Sequence, residues 1–111
     1  MPDPVRTFLA ECFLPGVHAS DVEAAAARAR AVADDLRANG TPVEYLGALL
    51  VEQDEVVFHA FRARALGDAL DASRRAGLPF ERVIESVEVA AAVGAFWSPA
   101  ASSAATGKEM A

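Results

Sequence analysis

Four side chains in this sequence could do chemistry together: Glu11, Tyr45, His59 and Glu85. His59 stands out because it interrupts an otherwise apolar run, Val56-Val57-Phe58-His59-Ala60-Phe61, that reads as a β-strand. Two carboxylates beside an imidazole in a poorly solvated space would raise the imidazole pKa by attraction, while desolvation would raise their own. Such a trio, His59 with Glu11 and Glu85, could ligate a divalent transition metal through a ring nitrogen and carboxylate oxygens; these donors suit nickel or zinc without choosing between them. The same groups could instead serve a cofactor-free isomerase, cyclase or dehydratase acting on a small apolar substrate. His59 would then be the general acid or base, Glu11 would orient it, and Tyr45 or Glu85 would handle the second proton.

Each residue also has a plainer role. A histidine on a strand is as often a hydrogen-bonded structural group, Glu85 could be an edge-strand charge that discourages aggregation, and Tyr45 an amphipathic interface residue. Glu11 is harder to dismiss, since a central strand gives it little access to solvent. Cys12 reads as a buried, inert thiol, with no base suggested beside it. His18 falls in a solvated loop. Neither HExxH nor a Gly-rich phosphate loop occurs, which removes support for zincin-type hydrolysis and nucleotide binding.

The elements that must position these groups follow from periodicity and punctuation. Residues 6–14 are rich in β-formers and stop at Pro15-Gly16. Ser20 with Glu23 has the form of a capping box, and Val22, Ala25, Ala29, Val32 and Leu36 give the following helix an apolar face, with Arg30 and Asp34 paired outside and Asn39-Gly40 as its end. Segments 42–51 and 56–61 flank the polar Glu52-Gln53-Asp54-Glu55, the pattern of an antiparallel hairpin. A second helix with a poor N-cap is predicted over about 64–76, turning Leu66, Ala69, Leu70 and Ser73 inward, then a strand over 80–89. The order β-α-β-β-α-β folds through right-handed crossovers into an α+β ferredoxin-like sandwich: a four-stranded antiparallel sheet, strands one and three central, with both helices on one face. The domain is predicted to span 1–89, with 90–111 as an extension in which Phe96-Trp97 packs and the Ala- and Ser-rich remainder frays.

Strand alternation assigns the faces. Phe8, Ala10, Cys12, Leu46, Ala48, Leu50, Val56, Phe58, Ala60 and Ile84 are predicted beneath the helices. Leu9, Glu11, Phe13, Val43, Tyr45, Gly47, Leu49, Val57, His59, Phe61, Val83, Glu85 and Val87 would then line the open face, where the four polar groups converge. So much Val, Leu and Phe is costly to leave wet, which predicts a homodimer through that face, the segment around Phe96-Trp97 being the other available cover.

Composition agrees with one compact domain: 111 residues, 53% hydrophobic but only 7% aromatic. Sixteen acidic against ten basic residues give a net charge of −6, with no basic patch, which argues against nucleic acid and anionic membrane as partners. A single cysteine permits neither an internal disulfide nor a Cys-rich zinc cage and fits a reducing, cytoplasmic compartment. The N-terminal "TFLAECFLPGVHA" is broken by Glu11 and Pro15 before it becomes a signal-peptide core, and no apolar run reaches membrane-spanning length.

Three stretches, "FLAECFLPGV", "VEYLGALLVEQDEVVFHAF" and "RAGLPFERVIESVEV", resemble a bacterial family of small ferredoxin-like proteins, otherwise of unknown function, that includes a nickel-binding protein. The likeness covers about residues 6–89, and "AGLPFERVIE" is its most specific part. It implies a dimeric α/β sandwich with a metal site on the sheet, and Glu11 and Glu85 match acidic positions of the family pattern. Where the family carries a histidine in a "YLHSY"-like strand, this chain has "YLGAL", with Gly47 at that place. His59 stands where a cysteine or small apolar residue is more usual, so the resemblance implies either a rebuilt site or a lost one. The space opened at Gly47 suits a small organic ligand as well as a metal.

Overall fold

A computed structural model describes residues 4–89. Its elements run β1 (Arg6–Phe13), α1 (Ala19–Ala38), β2 (Val43–Val51), a 3-10 turn (Glu52–Asp54), β3 (Val56–Ala63), α2 (Leu66–Arg75) and β4 (Arg82–Ser86). The sheet order is β2-β3-β1-β4 and every pairing is antiparallel, so β1 and β3 are central as the topology requires. This is the ferredoxin-like βαββαβ plan. Phe96-Trp97, expected from the sequence to pack, lies outside the described residues.

α1 starts two residues earlier than the Ser20–Glu23 spacing suggests. His18 is the N-cap, and the Asp21 carboxylate accepts its backbone N–H at 3.0 Å, the reciprocal half of a capping box. An acidic group here also complements the helix dipole. The helix ends at Asn39 and Gly40, whose φ of 98° suits glycine. Asp34 pairs with Arg37 at 2.7 Å rather than with Arg30, which instead lies over the Tyr45 ring. α2 lacks a side-chain cap, as its sequence suggests, but buries Ala69, Ala72 and Ser73, while Leu66 is exposed.

Both helices pack on one sheet face, where Ala29, Ala33, Leu36, Ala69, Ala72 and Ala76 join Phe8, Ala10, Cys12, Val43, Tyr45, Val57, Phe61 and Ala63 in one buried cluster. The alanines let the helices sit close to the sheet, so the core is thin and depends on few large groups, chiefly Phe8 and Phe61. Register sorts this face into cross-strand rows: Leu50-Val57-Cys12, then Ala48-His59-Ala10-Val83, then Tyr45-Phe61-Phe8-Glu85. The opposite face carries Val51-Val56-Phe13, Leu49-Phe58-Glu11-Arg82 and Gly47-Ala60-Leu9-Ile84.

These rows correct the predicted faces. β1 has the expected phase, but β3 is inverted: Val57, His59 and Phe61 lie beneath the helices, and Val56, Phe58 and Ala60 face away from them. β4 is inverted with it, so Val83 packs on the core and Ile84 does not. β2 changes phase partway. A β-bulge between Tyr45 and Gly47 puts Val43 and Tyr45 on the helix side along with Ala48 and Leu50, an arrangement no unbroken alternation can give. Gly47, which follows the extra residue, has a φ of 146°, a conformation other residues rarely adopt. Its role is to turn the strand.

Candidate functional site

The four residues singled out by type do not converge. Glu11 is on the open face, where its carboxylate accepts a 2.6 Å hydrogen bond from Nε of Arg82. Glu85 is exposed at the edge strand and pairs with Arg6 at 3.1 Å. His59 is beneath the helices, separated from Glu11 by the thickness of the sheet. The Glu11–His59–Glu85 centre is therefore not formed. Among the described residues no group of three or more His, Cys, Asp or Glu side chains is placed to hold a metal ion.

The structure does bring Tyr45 and His59 together. The bulge in β2 places Tyr45 opposite Phe61, one step along the same face from His59, and the Tyr45 hydroxyl lies 2.9 Å from Nδ1 of His59. Phe61 supports the tyrosine ring edge-on at 5.3 Å between centroids, and the Arg30 guanidinium covers its other side at 5.3 Å. His59 itself is only 1% exposed, yet its row neighbours are Ala48 and Ala10, which have no bulk to fill the space around the ring. A cavity adjoins the ring.

That cavity, of about 500 Å³, lies where the β1–α1 loop, the first turns of α1 and the Gly77–Pro79 turn after α2 meet above β3. Val57 and His59 line it from the sheet, Leu14 and Val17 from the loop, and Val22 and Ala25 from the helix. Its charged lining groups are Asp21, which accepts the His18 N–H, and Arg28, whose Nε donates to the Ala76 carbonyl at 3.0 Å. The volume is within the usual range for small-molecule sites, about 300–1,000 Å³.

Protonation states follow from burial. Desolvation, with a smaller contribution from the positive charge of Arg28, lowers the His59 pKa from 6.5 to about 4, so the ring is neutral at physiological pH. Burial pushes the Tyr45 hydroxyl up to about 12, against the lowering pull of Arg30, so it keeps its proton. A buried hydroxyl proton needs an acceptor, and among the described residues Nδ1 of His59 is the one it has. Tyr45 accordingly donates to Nδ1, which assigns the imidazole proton to Nε2. No described residue hydrogen-bonds Nε2, and the residue lines the cavity. The ring thus carries an N–H donor, not a base, at Nε2. Cys12 lies in the next row; burial and the nearby Glu11 and Glu81 carboxylates push its thiol up to about 11, an inert group as its sequence context indicates.

No protein-family model matches the chain, and no curated protein or solved structure matches it. The resemblance to the nickel-binding family therefore rests on the quoted residues alone. No helix among the described residues is long and apolar enough to cross a membrane. Strand phase concealed the cavity from the sequence reading. Arg62, the residue after the predicted strand end at Phe61, is the available signal: it shares a face with Phe58 and Ala60 and sets His59 on the other.

The low His59 pKa gives stability a defined pH dependence. Between pH 6.5 and about 4 the unfolded chain takes up a proton on this ring that the folded chain refuses, so stability present above 6.5 is lost as pH falls through that window. The full effect is on the order of 3 kcal/mol, from about 1.4 kcal/mol per unit of pKa difference. In urea denaturation, the stability of the wild type relative to His59→Phe is expected to fall by about that amount across the window. A difference independent of pH would show that the ring is not held neutral.

Proposed function

We propose that this protein binds a small, largely apolar organic molecule in the cavity above β3, presenting the Nε2–H of His59 to an oxygen of that molecule. The observation that carries this reading is a buried imidazole with one nitrogen engaged by Tyr45 and the other without a partner among the described residues, at the floor of a cavity with mostly apolar walls. A ring whose conjugate acid has a pKa of about 4 is a weak base near neutrality, but a neutral imidazole is a good hydrogen-bond donor to an oxygen. Recognition of an oxygen acceptor is thus better supported than proton abstraction. The acid–base scheme relying on Glu11 or Glu85 loses both carboxylates to ion pairs away from the ring. A nickel-type site would have to use groups other than Glu11, His59 and Glu85 as a set.

The reading is tested by protein-observed NMR with a library of small oxygen-bearing fragments. Shifts are expected to gather on Val22, Ala25, Val57 and His59, and to vanish in Ala24→Trp, which fills the mouth of the cavity from an exposed helix position. Fragments that gather on the open sheet face, or that bind Ala24→Trp unchanged, would contradict it.

A second reading concerns that open face. Phe13 is 50% exposed and Leu49 47%, and they border the half-buried Leu9, Phe58 and Ile84. An isologous dimer would cover this patch with its own copy, and the Glu11–Arg82 pair on the same face offers opposite charges for a symmetric partner. Sedimentation at micromolar concentration is expected to give a dimer that Phe58→Glu converts to monomer. A wild-type monomer, or a dimer indifferent to that change, would rule it out.

A further inference from the structure

The donors at the cavity specify more than an oxygen. His59 contributes Nε2–H, and Arg28 contributes a guanidinium that spends its Nε on the Ala76 carbonyl while its two terminal nitrogens have no hydrogen bond to a described residue. Asp21, the one carboxylate in the lining, is committed to the helix cap through the His18 N–H. Asp21 keeps its charge, but no described carboxylate forms an ion pair with Arg28, so the guanidinium and the His59 N–H are the groups of this lining available to an anion. One cation matches a single negative charge. The apolar lining of Leu14, Val17, Val22 and Val57 would desolvate a second charge without compensating it.

We infer that the ligand is a small monocarboxylate with an apolar body, its carboxylate bonded by Nε2–H of His59 and the Arg28 guanidinium and its body against the valines and leucine of the cavity. This rests on the reading of the cavity as a small-molecule site and adds the chemical class. Carboxylate is preferred over a neutral carbonyl because it brings the charge opposite to that of Arg28 and two oxygens that a guanidinium can bond in parallel. A phosphate ester is disfavoured because its second charge meets no second cation.

The probes are octanoate and benzoate, compared with 1-octanol and benzyl alcohol, which keep each body and remove the charge. Titrated into the full chain and followed by NMR, the two acids are expected to shift the His59 ring resonances and to bind about tenfold or more tightly than the matching alcohols, the size of effect a charge-assisted pair gives. Arg28→Gln is expected to bring the acids down to the level of the alcohols. The acid-to-alcohol comparison in the wild type decides the point even should that variant lose its fold. Alcohols that shift His59 and bind as tightly as the acids would overturn the carboxylate assignment and leave the cavity reading standing. If neither class moves His59, both fall together.

Discussion

A tyrosine hydroxyl and an imidazole nitrogen 2.9 Å apart beneath two helices must satisfy one another, because burial leaves neither of them bulk water to turn to. Much of the surrounding structure is arranged around that constraint. Tyr45 reaches the helix side only because β2 bulges between Tyr45 and Gly47; with unbroken alternation, Ala48 and Leu50 could not share a face with it. The glycine at the bulge, the phenylalanine against the tyrosine ring and the arginine above it all fix the hydroxyl in place. An unmade bond here would leave a buried polar group unsatisfied, at a cost of about 1–3 kcal/mol, a large share of a small domain's stability.

The same bond directs the ring's remaining proton. Because Tyr45 stays protonated and donates, the ring's own proton sits on Nε2, and His59 is one of the residues that line the cavity. A residue without the hydroxyl at Tyr45 would free the tautomer. Tyr45 and His59, in adjacent rows of the sheet, thus fix one another's protons. The open face is built differently, with charges paired across strands, Glu11 with Arg82 and Arg62 with Glu44 and Glu88, around an apolar centre.

Topology was legible in the sequence because its signals are local and redundant: Pro15-Gly16, Asn39-Gly40 and the polar Glu52–Glu55 turn each mark an element boundary independently of the others. Strand phase was legible only where polar residues fall on one side. In β1 Thr7 and Glu11 leave a single solution, and the assignment of Phe8, Ala10 and Cys12 holds. In β3 both alternations are apolar as far as Phe61; the strand in fact continues to Ala63, and Arg62 is the residue that decides. In β2 Glu44 points one way and Ala48 and Leu50 another, a conflict resolved by a bulge that period-two reading cannot contain. His59 and Tyr45 were recognised by type as the groups worth following, but their partner relation depended on two phase errors that had moved both to the wrong face together. Glu11 gains its apparent role from the inversion of β3, which carries His59 to the wrong side, and Glu85 from the matching inversion of β4; in the structure each carboxylate pairs with an arginine.

The tautomer of His59 is the point from which the account of this site proceeds, and it can be read directly. Two-bond nitrogen–proton correlation spectra of ¹⁵N-labelled protein near pH 7 distinguish a protonated from a bare ring nitrogen. The expected spectrum has Nδ1 unprotonated, as an acceptor from Tyr45, and Nε2 protonated, with Tyr45→Phe shifting the Nδ1 resonance. A proton on Nδ1, or an imidazolium signal at that pH, would contradict the direction of the buried hydrogen bond and with it the donor presented to the cavity.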